Sequence, residues 1–249
     1  MFERTELMIG KQGVERLRGS HVLVVGLGGV GAFAAEMLCR AGVGSLTLVD
    51  SDTVSLTNKN RQLVALDSTI GMLKTDVLAK RLKDINKDVN ILCVSEFLKD
   101  ERMVEVLLSS HYDYVVDAID TLSPKLYLIT HCVRFSIPIV SSMGSGGKSD
   151  PSQVRVADIS RSYNCPLARM LRKKLHKLGI RKGFKVVFSP EEVSRDCVVE
   201  ERSENKRSNV GTLSYMPAIF GCFVASVVIR DLVGLNTEKK DVAADDREQ

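Results

Sequence analysis

VLVVGLGGVGAFAAEMLCRAGVGSLTLVD, residues 22–50, reads as a strand, a glycine turn, a helix and a second strand. Val22, Leu23, Val24 and Val25 form an unbroken apolar run of the kind buried on both faces of a parallel sheet. Gly26, Gly28 and Gly31 follow at the spacing of a dinucleotide-binding turn, with Gly29 between them. The setting, after a strand and at the start of a helical pattern, gives that spacing its meaning. Gly26 suits the tight turn, Gly28 a close approach of backbone to phosphate, and Gly31 the packing of helix on strand. The helix N-terminus then faces the anion. Asp50 closes the second strand, where a carboxylate can accept from ribose hydroxyls. A glycine turn without a ligand is the plainer alternative.

Working outward, residues 5–18 are expected to form a short amphipathic helical region interrupted by Gly10 and Gly13, with Arg4 at its start. Val30, Ala34, Met37, Leu38 and Ala41 fall at helical spacing, and Gly42 ends that helix. Residues 50–62 are polar and irregular, the kind of loop in which α/β folds keep ligands. Helices over 72–85, near 102–108 and over 122–135 alternate with strands over 89–94, 112–117 and 137–142. The fold class is therefore α/β: a Rossmann-like, mostly parallel sheet with helices on both faces. A C-terminal mixed segment extends it, with strands over 153–159 and 184–188 and helices over 166–178 and 215–232. Residues 189–209, polar and without periodicity, read as a long mobile loop. No linker divides the chain, so residues 1–235 are expected to form a single domain and 236–249 a charged, disordered tail.

With 249 residues, 44% hydrophobic and 27% charged, the chain has the composition of a globular protein with an ordinary core. Its N-terminus lacks the apolar run of a signal peptide, and the expected location is cytoplasmic. The apolar part of residues 208–229 is short of the roughly 20 residues a spanning helix needs, so a buried helix and no membrane span are expected. The six cysteines include no C-x-x-C pair and no two closer than 25 positions. That spacing argues against a zinc ribbon and a disulfide framework. Charge is distributed unevenly. Residues 161–185 hold nine Lys and Arg and no acid; taking those nine from the net +4 leaves −5 on the rest. Such a stripe fits a phosphate-backbone partner such as RNA, and a merely solvated helix face is the alternative.

Arg61, Lys74 and Asp120 each lie at or just beyond the carboxyl end of an expected strand, or in the connection after it. Two cations and a carboxylate beside a glycine turn suit phosphate chemistry, with the cations stabilising charge on phosphate oxygens and the carboxylate holding magnesium. Hydride transfer needs no such cluster.

The segments GLGGVG (26–31), AGVGSLTLVDSDTVSLTNKNRQ (41–62), GMLKTDVLAKRLKDINKDV (71–89) and VVDAIDTLSPK (115–125) resemble the ubiquitin-activating-enzyme-like adenylating superfamily. The resemblance implies ATP and Mg2+ as cofactors. It places Gly26, Gly28, Gly29, Gly31, Asp50, Asp52, Asn58, Arg61 and Lys74 around the nucleotide, with Asp50 on the ribose, Asn58, Arg61 and Lys74 on the phosphates, and Asp120 on the metal. It also implies that Arg4, in RTELMIG, reaches into a partner subunit's site, hence a homodimer.

Lacking C-x-x-C pairs, the chain is more similar to the tRNA threonylcarbamoyladenosine dehydratase branch, on VDAID, the segment IPIVSSMGSGGKSDPSQ and the basic region after it. That branch activates the carboxylate of a modified tRNA nucleoside and cyclises it. A sulfur-transfer (cysteine desulfurase) system is a further candidate partner. A tethered nucleophile needs no enzyme thioester, although Cys197 in the long loop is placed like a mobile thiol. The alternatives are an activator of a small sulfur-carrier protein and a non-catalytic nucleotide-binding scaffold.

Overall fold

A computed structural model describes residues 1–199 and 209–235. Helix α1 (Glu3–Gly19) leads into β1 (His21–Val25), α2 (Gly31–Ala41) and β2 (Ser45–Val49). Then come α3 (Lys74–Ile85), β3 (Asn90–Val94), α4 (Asp100–Leu108), β4 (Tyr114–Asp117), α5 (Leu122–Arg134) and β5 (Ile139–Ser142). The last part holds β6 (Arg155–Asp158), α6 (Pro166–Lys177), β7 (Lys185–Phe188), β8 (Val198–Val199), β9 (Asn209–Val210) and α7 (Tyr215–Val233).

The seven-stranded sheet has the order β3-β2-β1-β4-β5-β7-β6, parallel except for β6 at its edge. The chain winds outward from β1 in one direction to β3 and returns to the other side at β4. That reversal opens a crevice above the carboxyl ends of β1 and β4, where such sheets bind ligands.

The apolar run of β1 explains its central place. Val22 and Val24 face one core, with α2, α3 and α7, while Leu23 and Val25 face the other, with α4, α5 and α6. All four are at most 4% exposed.

Helix α7 is long and apolar enough to cross a membrane by composition alone, but it packs on α2. Phe220, Val224 and Val228 are fully buried there, each contributing roughly 1.5–3 kcal/mol of apolar burial. Gly221 permits the approach, since a Cβ there would sit 2.6 Å from the Val30 carbonyl oxygen. The expectation of a buried helix is borne out.

Two expectations need correction. Gly10 interrupts α1, with φ 71° and ψ 168°, whereas Gly13 is an ordinary helical residue buried in it. Residues 189–199 are anchored, not simply a mobile loop. The Glu191 carboxylate accepts from Ser149 N (2.9 Å), Ser149 Oγ (2.7 Å) and Asp150 N (3.0 Å), and buried Lys148 donates to the Glu191 carbonyl. Strand β8 pairs antiparallel with β9, and Gly147 N donates to Gly211 O at 2.7 Å. Polar composition hid this because the anchors are hydrogen bonds, not apolar contacts. The expected tail at 236–249 and residues 200–208 of the expected loop lie outside the described residues.

Candidate nucleotide site

The glycine turn is fixed from both sides. Gly26 N donates to Val49 O (2.8 Å), and Ala118 N donates to Val25 O (2.9 Å), so β2 and β4 both grip the end of β1. Gly26 has φ 89°, which favours glycine, and a Cβ on it would meet Ala118 O at 2.8 Å. At Gly31 a Cβ would lie 1.8 Å from Gly26 O, and at Gly29 it would lie 2.8 Å from Pro217 Cβ and 3.1 Å from Arg61 O. Gly28 differs: its nearest neighbour would be Gln62 Nε2 at 3.8 Å. Open space at Gly28 is what close approach of a phosphate requires. Helix α2 starts just beyond with no side-chain cap and no acid in its first turn, leaving backbone donors for an anion.

These contacts predict two different alanine variants. Gly31→Ala should lose about 1–3 kcal/mol of stability by overpacking the turn. Gly28→Ala should melt like the parent and still lose AMP affinity. Differential scanning calorimetry and AMP titration would check the pair; equal melting temperatures for both variants would contradict the packing.

Asp50 is placed to hold one end of a ligand. Its Oδ2 accepts from Leu27 N at 2.6 Å and its Oδ1 from Asp52 N at 2.8 Å. Burial pushes its carboxyl up, against the pull of Lys74 and of these amides. Lys74, 4% exposed at the first position of α3, donates to Asp52 Oδ2 at 2.7 Å and stands 3.9 Å from Asp50 Oδ1. Backbone pairing brings it there: the loop after β2 bridges back at Thr53 to Leu73, and Lys74 N donates to Asp52 O at 3.1 Å. The structure thus joins three expected site residues, Asp50, Asp52 and Lys74.

Asn58 and Arg61 belong to the same loop. Asn58 Oδ1 accepts from Ser55 N at 3.1 Å, and Arg61 donates to Thr57 O and Asn60 Oδ1 at 3.0 and 2.9 Å. The Arg61 backbone abuts Gly29, so the loop lies over the glycine turn. Asp120 is exposed in the connection from β4 to α5, two residues after Ala118, which packs on Gly26. Arg4 is not brought to this crevice. It lies exposed on α1 two residues from Phe2, whose ring packs over Gly42 at the far end of α2.

Several neighbours were not singled out in the sequence. Gln62 Oε1 is buried with no hydrogen-bond partner among the described residues, beside the open face of Gly28. Asp117 and Lys125 form a fully buried ion pair of 2.8 Å beneath the β4 connection. A charge ending an otherwise apolar strand, with a lysine in the first turns of the next helix, was the available signal. Cys197 is exposed, and its carbonyl accepts from Gly211 N at 2.8 Å. Hollows of about 450 and 610 Å3 open at the opposite end of the sheet, sharing Asp113 and Pro138. The helices that border them, α4 and α7, present their C-terminal ends, so the carboxyl rim is the better nucleotide site.

The ThiF family model matches residues 2–245. The chain belongs to the ThiF family. Among its ThiF-family relatives, the tRNA threonylcarbamoyladenosine dehydratase of Bacillus subtilis is 41% identical, over 93% of this chain and 94% of that one. The crystal structure of the Escherichia coli tRNA N6-threonylcarbamoyladenosine dehydratase in complex with ATP superposes with a TM-score of 0.86 at 34% identity, covering 94% of each chain. A molybdopterin-synthase adenylyltransferase of Haemophilus influenzae is 35% identical but over 65% of this chain and 63% of its own. Likeness to the dehydratases therefore spans the C-terminal segment as well as the nucleotide half.

Proposed function

We propose that this ThiF-family chain is an ATP-dependent tRNA threonylcarbamoyladenosine dehydratase that works through an acyl-adenylate. The observation that carries this is near-full-length likeness to the B. subtilis enzyme and the ATP-bound E. coli structure, together with a crevice of matching chemistry. Likeness to the carrier-protein activator covers about two thirds of the chain, which favours the tRNA substrate.

A carboxylate is a poor electrophile. Its oxygen attacks the α-phosphate of ATP, pyrophosphate leaves, and a nucleophile of the same side chain closes on the activated carbonyl with AMP departing. The substrate loses the elements of water, driven by ATP cleavage. Tethering makes the second step effectively unimolecular, so no enzyme nucleophile is needed and Cys197 is given no chemical role. The α2 N-terminus and Gly28 face the phosphates, and Asp50 accepts from the ribose. Asn58, Arg61 and Lys74 hold the phosphates, with Arg61 and Lys74 stabilising charge during transfer. Asp120 is the carboxylate that would hold Mg2+, an ion commonly held by one or two carboxylates and the phosphates themselves. The ion would neutralise charge on the pyrophosphate.

The same reading takes residues 1–235 as one adenylating unit in a cytoplasmic homodimer. Support for the dimer comes from Leu56, Leu66, Ile70 and Met72, between 44% and 64% exposed in the stretch from β2 to α3. Arg4, remote from its own crevice, would serve the partner's. A sulfur-transfer system remains a candidate partner on the resemblance alone.

Purified protein with ATP, MgCl2 and tRNA bearing threonylcarbamoyladenosine is expected to yield the cyclised nucleoside and one AMP per cyclisation. An unchanged nucleoside by mass spectrometry, with intact ATP confirmed, would refute the assignment.

A further inference from the structure

The Asp117–Lys125 pair is unusual in having both side chains fully buried, 0% exposed on each side, beneath the crevice floor. Burial pushes the Asp117 carboxyl up, against Lys125, Ser141 and the Ile119 amide. Two charges in such a place are a poor source of stability, since apolar residues of similar volume commonly serve as well. What the pair does supply is geometry. Asp117 ends β4, opposite Val25 of β1 and Ser141 of β5. Its Oδ2 accepts from Ser141 Oγ (2.6 Å) and pairs with Lys125 Nζ (2.8 Å), while its Oδ1 accepts from Ile119 N (3.1 Å). Lys125 reaches back from α5 to donate to Ile119 O at 2.8 Å. Both polar groups of the Ile119 backbone are therefore held by one buried pair. The residue on one side of Ile119, Ala118, presses its carbonyl against the Gly26 turn; the residue on the other side is Asp120.

We propose that Asp117, Lys125 and Ser141 are positioning residues: a buried clamp that fixes the Ala118–Ile119–Asp120 turn and so sets the Asp120 carboxylate relative to the glycine cradle. The clamp touches neither nucleotide nor tRNA and acts through Asp120. It rests on the reading of Asp120 as the metal carboxylate. Displacing a positioned group by about 1 Å can cost about 100-fold in rate, which sets the size of the effect.

Lys125→Met alone would strand a buried carboxylate and threaten folding. The test is therefore Asp117→Asn/Lys125→Met, which removes both charges, with Ser141→Ala as a milder cut and Asp120→Asn alongside. The readouts are melting temperature, metal-free AMP affinity by calorimetry, and AMP release with threonylcarbamoyladenosine-bearing tRNA across a MgCl2 series. The double variant is expected to fold and bind AMP within about twofold of the parent, while kcat falls about 100-fold and half-saturating MgCl2 rises about tenfold. Ser141→Ala should shift both in the same direction by less. A folded double variant with parental kcat and magnesium demand overturns the clamp. If the double variant does not fold, Ser141→Ala decides: parental kcat and magnesium demand there overturn the clamp equally. Parental magnesium demand in Asp120→Asn overturns instead the metal role of Asp120, and the clamp is then judged on kcat alone.

Discussion

Lys74→Ala is expected to cut AMP release by about 10²–10³-fold, the loss typical of removing one fixed donor from a developing phosphate or oxyanion charge. Lys74 is suited to that role because the fold has already met the cost of holding it. It starts α3, its amide is tied to Asp52 O, and the residue is 4% exposed with its ammonium between Asp52 and Asp50. A phosphate entering the crevice would meet a cation that need not reorganise. Truncation leaves Asp52, whose side chain is 66% exposed, free to be solvated by water. Asp50, largely shielded, keeps the Leu27 and Asp52 amides, so the variant should fold and keep its oligomeric state. The loss should appear in kcat more than in AMP affinity, because the charge it meets grows during transfer. Single-turnover AMP release and light scattering would check both halves. Parental turnover would remove Lys74 from the phosphate chemistry.

The nucleotide half was legible because its signals are local. A four-residue apolar run must be buried on both faces, and three glycines at fixed spacing admit few backbones; the structure places Gly26, Gly28 and Gly31 as their spacing suggests. Asp50 and Lys74, 24 positions apart in sequence, come together because the loop after β2 bridges back at Thr53 to Leu73, the residue before Lys74. What escaped depends on long-range polar contacts that no periodicity encodes. The Ser141 to Asp117 bond joins neighbouring strands 24 residues apart, and Glu191 grips Ser149 and Asp150 across 42 and 41. Gln62 differs: it reads as one more polar loop residue until its side-chain oxygen is seen buried beside Gly28 without a partner among the described residues. The basic stripe is continuous in sequence, yet the fold divides it. Arg172 is spent on Ser162, and Lys185 pairs with Asp231 at 2.5 Å; Arg169, Lys173, Lys174 and Lys177 stay exposed.

That division makes the RNA reading quantitative. Ala168, Leu171 and Leu175 bury one face of α6, so Arg169, Lys173 and Lys177, spaced by four, line the opposite face. Replacing these three by glutamine keeps helix propensity and the buried face while removing three charges. If each neutralises one tRNA phosphate, the salt slope of binding should become shallower by about three, close to 0.9 per contact. Between about 50 and 200 mM salt the parent should then lose about 40-fold more affinity than the variant. AMP binding, at the distant glycine turn, should not change, which separates lost RNA contact from lost fold. Fluorescence anisotropy with labelled tRNA over a salt series reads this directly. Parallel salt lines would make the stripe a solvated face, and tRNA would have to be held elsewhere on the rim. A lowered slope would tie the C-terminal segment to a tRNA substrate and so separate the proposed reading from carrier activation.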